Sequence, residues 1–172
     1  MNLDYQYTAS WLKEQLPQIP SVAMILGTGL NAIAEQSDIR AKIPYAEIPG
    51  FVSTTAPEHK GNLILGELKG IPMIFLQGRF HYYEGYSMQE VTFPVRVMKE
   101  LGIKTLFVSN ASGGTNPAFE IGDLMIITDH INYFPEHPLR GKNLYGDRFP
   151  DMSEAYSKEL IQKALQIAKF IS

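Results

Sequence analysis

The sequence predicts an α/β fold in which a largely buried, mixed sheet is flanked by helices. Three observations predict it. Two short apolar runs, 21–26 and 105–109, empty into clusters of small turn residues, as strands buried on both faces do. Two further runs, Asn62–Leu68 and Ile71–Gln77, are joined by Lys69-Gly70, which reads as a hairpin turn between antiparallel strands. Segments with helical apolar spacing alternate with these strands, the pattern of a layered α/β chain.

Taken in order, residues 5–16 place Tyr7, Trp11, Leu12 and Leu16 at helical spacing, and Pro17 stops that helix. The strand at 21–26 follows and ends at Gly27-Thr28-Gly29. A helix starts within 30–35. In the hairpin, Pro72 is tolerable because it stands near the start of its strand. Ser87-Met88-Gln89-Glu90 has the S-x-x-E form of a capping box. Val91, Val95, Met98 and Leu101 continue it at helical spacing, with Gly102 at the stop. Pro94 falls inside that helix, where proline costs about 3 kcal/mol, and predicts a kink.

The buried strand at 105–109 exits into Asn110-Ala111-Ser112-Gly113-Gly114-Thr115-Asn116-Pro117. A further strand is expected at 124–127. Residues 132–150 lack periodicity and read as a loop. Residues 153–171 form a long helix, apolar at Tyr156, Leu160, Ile161, Ala164, Leu165, Ala168 and Ile171. So broad an apolar face calls for more protein to cover it.

The 172 residues fit a single domain, 1–172. With 45% hydrophobic and 19% charged residues, the chain is globular rather than disordered. Its 15 Lys and Arg against 18 Asp and Glu give a net charge of −3, against a broad nucleic-acid footprint. The absence of cysteine excludes disulfides, thiolate chemistry and Cys-based zinc sites. The N-terminus lacks the basic and apolar regions of a signal peptide, and no apolar run approaches the ~20 residues that span a bilayer. The expectation is a cytoplasmic protein without a membrane partner.

In doubly wound sheets ligands gather at the carboxyl ends of strands. Two Gly-rich exits occur here, at Gly27-Thr28-Gly29 and at Asn110 to Gly114. Their glycines let backbone N–H groups approach an anion, and Thr28 adds a hydroxyl. A plain tight turn accounts for either exit alone. Gly78-Arg79-Phe80-His81-Tyr82-Tyr83-Glu84 follows the strand ending at Gln77. If extended, it puts Arg79, His81 and Tyr83 on one face. Arg79 offers a fork of donors to phosphate or carboxylate, and His81 a further donor. A surface Arg beside a structural His is the plainer alternative. His59, in Pro57-Glu58-His59-Lys60-Gly61, can close on a ligand or simply sit in a solvent-exposed loop. His130 and His137 match no metal spacing, and no metal is assigned. No G-x-S-x-G or Cys nucleophile supports covalent catalysis.

Together these segments resemble the trimeric purine nucleoside phosphorylases. The matches are Met24 to Leu30 (MILGTGL), Glu47-Ile48-Pro49, PEHKG at 57–61, QGRFHYYEGY at 77–86 and TFPVRV at 92–97. SNASGGTNP at 109–117, DHIN at 129–132, PLRG at 138–141 and GDRFP at 146–150 follow in the family's order. The resemblance implies a mixed, twisted central sheet and phosphate-dependent cleavage of the N-glycosidic bond of purine nucleosides, giving purine and ribose 1-phosphate. It implies that Thr28, Arg79, His81 and the Ala111 N–H form the phosphate site, with His59 near it. The resemblance further implies that Arg79 and His81 act in catalysis, that Tyr83 touches the ribose, and that Phe149 reaches a neighbouring subunit's ribose site in a homotrimer. No cofactor is implied, phosphate being a substrate. Members of the family continue beyond the last helix, so the resemblance covers the N-terminal portion, and the C-terminal part of the fold is expected to be absent. That part carries the base-recognising Glu and Asn. Two alternatives remain: a non-catalytic fragment that keeps the phosphate site and subunit contacts, and a methylthioadenosine phosphorylase-like enzyme.

Overall fold

The first helix, α1, spans Tyr5–Gln15, and Asp4 caps it by accepting the Tyr7 N–H at 2.9 Å. The computed structural model describes residues 3–53, 60–143 and 145–171. Its contacts divide the chain into two units, Met1–Ser112 and Gly113–Ser172.

In the first unit five strands form one sheet: β1 (Val22–Leu26), β2 (Asp38–Pro44), β3 (Asn62–Leu68), β4 (Ile71–Gln77) and β5 (Thr105–Val108). The order is β2-β3-β4-β1-β5. The sheet is mixed, as expected. β2, β3 and β4 are antiparallel neighbours, whereas β1 runs parallel to both β4 and β5. The hairpin turn falls at Lys69-Gly70, both at positive φ. Pairing of β4 with β1 begins only at Met73, so Pro72 lies outside the doubly paired span and removes no donor needed there.

The period of two sorts the strand side chains onto opposite faces, and both faces are buried. Leu63, Leu65, Ile74 and Leu76 join Leu12 of α1 with Phe93, Val97 and Met98 of α4 (Phe93–Leu101). Ile64, Met73 and Phe75 pack with Leu26 and with Ala34 of α2 (Asn31–Glu35). Beyond the sheet, Tyr45, Phe51, Phe80 and Phe93 meet edge to face at centroid distances of 5.3 to 6.0 Å.

Several expectations are corrected. β2 has no counterpart in the sequence reading. Its sequence, DIRAKIP, is mostly exposed and so lacks the apolar run that marked the others. The segment from Ser87 to Leu101 is not one kinked helix. It is α3 (Met88–Val91) and then α4, broken at Thr92. Pro94 therefore stands in the first turn of α4, where a missing N–H costs nothing. The capping box forms as expected: Glu90 N–H donates to Ser87 Oγ at 3.3 Å, and Ser87 N–H to Glu90 Oε2 at 2.8 Å. β5 is not fully buried, since as the edge strand it leaves Phe107 and Val108 exposed.

In the second unit residues 124–127 form no strand. A strand exists only where its backbone pairs with another, and no partner forms here among the described residues. Leu124 and Met125 are exposed. The described residues of 132–150 are irregular, as expected. α5 (Lys158–Ile171) begins five residues later than the predicted 153, after a turn in which Asp151 accepts the Ser153 N–H at 2.9 Å. Ser157 caps the helix by accepting from Leu160 N–H at 3.3 Å.

Candidate functional site

β1, β4 and β5 run parallel, so their carboxyl ends open on one edge of the sheet. Leu26 pairs with Gln77, and Ile25 with Val108. Beyond the paired residues, Gly27 N–H meets Ser109 Oγ and Arg79 meets Ser109 O, so three separate stretches of sequence come together there, with Thr28 one residue and Ala111 two residues from those contacts.

Ser109 ties the exits together. Its Oγ donates to Ile25 O at 3.1 Å and accepts from Gly27 N–H at 3.1 Å. Gly27 has no room for a side chain, because a Cβ would lie 2.6 Å from Ser109 O and 2.8 Å from Asn110 Cα. The glycine is required by close backbone approach rather than by its φ. Gly29, at φ 81°, turns the chain into α2. Thr28 between them is exposed.

The positive φ of Gly78, 99°, turns the chain out of β4. Tyr45 holds this point, donating its hydroxyl to Gly78 O at 2.8 Å. Burial pushes the Tyr45 pKa up, which keeps that donor protonated. Arg79 is half-buried and donates from Nη1 to Ser109 O at 2.7 Å. Burial lowers its pKa, with nearby Tyr83 acting in the opposite sense. A guanidinium is basic enough to stay charged regardless.

His81 does not continue an extended strand into Tyr83. Residues Tyr82–Glu84 form a single 3-10 turn, and Tyr83 meets His81 by stacking, with centroids 4.7 Å apart at 20°. The face that the two share is real, but the turn creates it. Tyr83 is 76% exposed, open to a ligand on its other side. Glu84, its side chain only 1% exposed, was not singled out in the sequence. Its Oε1 accepts from the His81 backbone N–H at 3.0 Å and from Nδ1–H at 2.9 Å. A carboxylate only accepts, so Nδ1 is the donor in that pair. The His-x-x-Glu spacing was the available signal, matching the i,i+3 reach of one helical turn.

Ala111 lies at the exit of β5 and is exposed. His59 falls outside the described residues. Phe149 belongs to the second unit, where it is 84% exposed with the Arg148 guanidinium 5.1 Å from its ring centre. Among the described residues no cluster of three or more His, Asp or Glu side chains is arranged for a metal ion. No helix there is long and apolar enough to cross a membrane.

The first unit is thus a mixed α/β sheet with an arginine and two glycine-rich turns at the carboxyl ends of its parallel strands. Comparison places it further: the profile of the Phosphorylase superfamily matches residues 21–171, and the chain belongs to that superfamily. The purine nucleoside phosphorylase 1 of Geobacillus stearothermophilus is 52% identical over 168 residues, covering 96% of this chain and 61% of the relative. The purine nucleoside phosphorylase of Bos taurus is 49% identical over 166 residues, covering 94% and 57%. The crystal structure of isoform 2 of the Schistosoma mansoni purine nucleoside phosphorylase, in complex with cytosine and ribose-1-phosphate, superposes with TM-score 0.88 at 41% identity. That match covers 98% of this chain and 61% of the other. The chain therefore spans about 60% of the length of the relatives it matches.

Proposed function

We propose that this chain is part of a purine nucleoside phosphorylase and holds its phosphate. The reaction is phosphate-dependent cleavage of the N-glycosidic bond of purine ribo- or deoxyribonucleosides, giving free purine and the pentose 1-phosphate. The observation that carries the reading is the bond from Arg79, at the end of β4, to Ser109 O, at the exit of β5, across the β1 exit that leads into Thr28. Relatives at 52% and 49% identity with that name support it.

In this reading the Arg79 guanidinium, the Thr28 hydroxyl, His81 Nε2 and the Ala111 N–H hold phosphate, with His59 beside them. Departure of the purine builds positive charge on the sugar, as in an oxocarbenium ion. A phosphate fixed beneath the anomeric carbon stabilises that charge and supplies the oxygen that bonds to it. Positioning and electrostatics then provide most of the rate. Tyr83 packs on the ribose, and Phe149 serves the ribose site of a neighbouring subunit in a homotrimer. No cofactor takes part, and the enzyme works in the cytoplasm. The superfamily match runs through both units, which supports one domain over residues 1–172.

The test is release of hypoxanthine from inosine by the purified protein, with and without phosphate. Phosphate-dependent release is the expected result. No release from folded protein that still binds phosphate would overturn the catalytic reading and leave a phosphate-binding chain.

A further inference from the structure

Gln77 is the one polar side chain of β4, whose sequence is otherwise Ile, Pro, Met, Ile, Phe and Leu. It is 1% exposed. By parity it shares a face with Met73 and Phe75, which pack against Leu26 and Ala34. A methionine or leucine would fill such a space as well, and a buried primary amide is costly unless its hydrogen bonds are made. The core therefore gives no reason for an amide here.

Its hydrogen bonds give one. Nε2 donates to Asn31 O at 3.3 Å, the carbonyl of the first residue of α2, three residues after Thr28. Oε1 accepts from Asn62 Nδ2 at 3.4 Å, and Asn62 Nδ2 also donates to Lys60 O at 3.1 Å. The backbone carbonyl of Gln77 accepts Gly61 N–H at 2.9 Å. Arg79 is two residues on. One buried residue thus ties the exit of β4 to the start of the helix that follows the Gly27–Gly29 turn, and to the stem at 60–62.

We infer that Gln77 is a positioning residue for the phosphate site, setting the spacing between the Thr28 turn and Arg79. The inference rests on the phosphate reading above. Arg79 and Thr28 lie on different strands, and a ligand held by both senses any change in their separation.

The test is isothermal titration of the protein with inorganic phosphate, alongside thermal melting. Gln77→Met keeps the volume and removes the amide. It is expected to weaken phosphate binding about tenfold, through an altered spacing of Thr28 and Arg79 and not through any bond of its own to the ligand. Leu65→Ala, in the middle of β3 on the opposite face, supplies a control that loses melting temperature by core damage alone. Asn62→Ala probes the same network should Gln77→Met not fold. Phosphate affinity unchanged in whichever of the two folds overturns the inference, as does an equal loss of affinity in Leu65→Ala. Wild-type protein that shows no saturable phosphate binding would instead overturn the phosphate reading, and the role of Gln77 with it.

Discussion

Arg79 reaches from the end of β4 to donate to the Ser109 carbonyl at the end of β5, at 2.7 Å. β1 lies between those two strands in the sheet, so the bond spans the exit of β1, where Gly27 and Thr28 sit. One guanidinium face is used to hold the frame, and the half-buried remainder carries the positive charge of the site. Arg79→Ala removes both. It is expected to weaken phosphate binding by at least about tenfold, the usual cost of deleting a charged hydrogen-bonding partner. Arg79→Lys keeps charge but not the fork, and should fall between. Titration with phosphate checks this, and unchanged saturation in Arg79→Ala would count against the assignment.

Gly27→Ala tests the close approach of β1 and β5. The added Cβ meets backbone, Ser109 O at 2.6 Å and Asn110 Cα at 2.8 Å, and backbone cannot rotate away. The two exits must separate. The expected cost is about 1–3 kcal/mol of stability, as for other overpacked sites. Phosphate binding should weaken as well. Gly113→Ala, where a Cβ meets nothing within 4 Å, should leave urea denaturation unchanged.

Glu84 governs His81. Glu84→Ala strips the acceptor from two His81 donors, the backbone N–H and Nδ1–H. Losing that acceptor should cost about 1–3 kcal/mol and loosen the hold on the ring, which keeps its stacking on Tyr83. Glu84→Gln retains an oxygen at the same reach and should restore most of the phosphate affinity that alanine loses. Equal affinity in wild type and Glu84→Ala, measured by titration, would remove Glu84 from the site.

How much of this was legible follows the physics of each element. β1 announced itself as a short apolar run, and β3 and β4 as two runs joined by the Lys69-Gly70 turn. β2 did not, because a mostly exposed strand such as DIRAKIP is written in polar residues. Pro94 was visible but its position in the helix was not, because Thr92 breaks the segment just ahead of it. Arg79 and the glycine-rich exits were legible as residue types. Ser109 and Gln77 were not, because their importance lies in partners 82 to 84 and 15 to 46 residues away in sequence. Glu84 lay between, three residues from His81 and readable only once a turn replaces the strand.

The capping box at Ser87 gives a prediction with a pH sign. Hydrogen bonds from the Ser87 backbone N–H and then from its hydroxyl hold the Glu90 carboxyl below its ordinary pKa. The folded value is thus depressed relative to the unfolded one. Such a group contributes stability that is fully present above the unfolded pKa and is lost as the pH falls through the folded pKa. Ser87→Ala removes the hydroxyl, which both accepts the Glu90 N–H and donates to Oε2 at 2.8 Å. Near neutral pH the variant should lose about 1 kcal/mol, as other N-caps do. Once the pH has fallen below the depressed folded pKa, the carboxyl is protonated in either protein, and the part of the difference that depends on its charge should vanish. Urea denaturation of both proteins at pH values on either side of that point measures it. A gap between wild type and Ser87→Ala that widened as the pH fell would contradict the assigned sign.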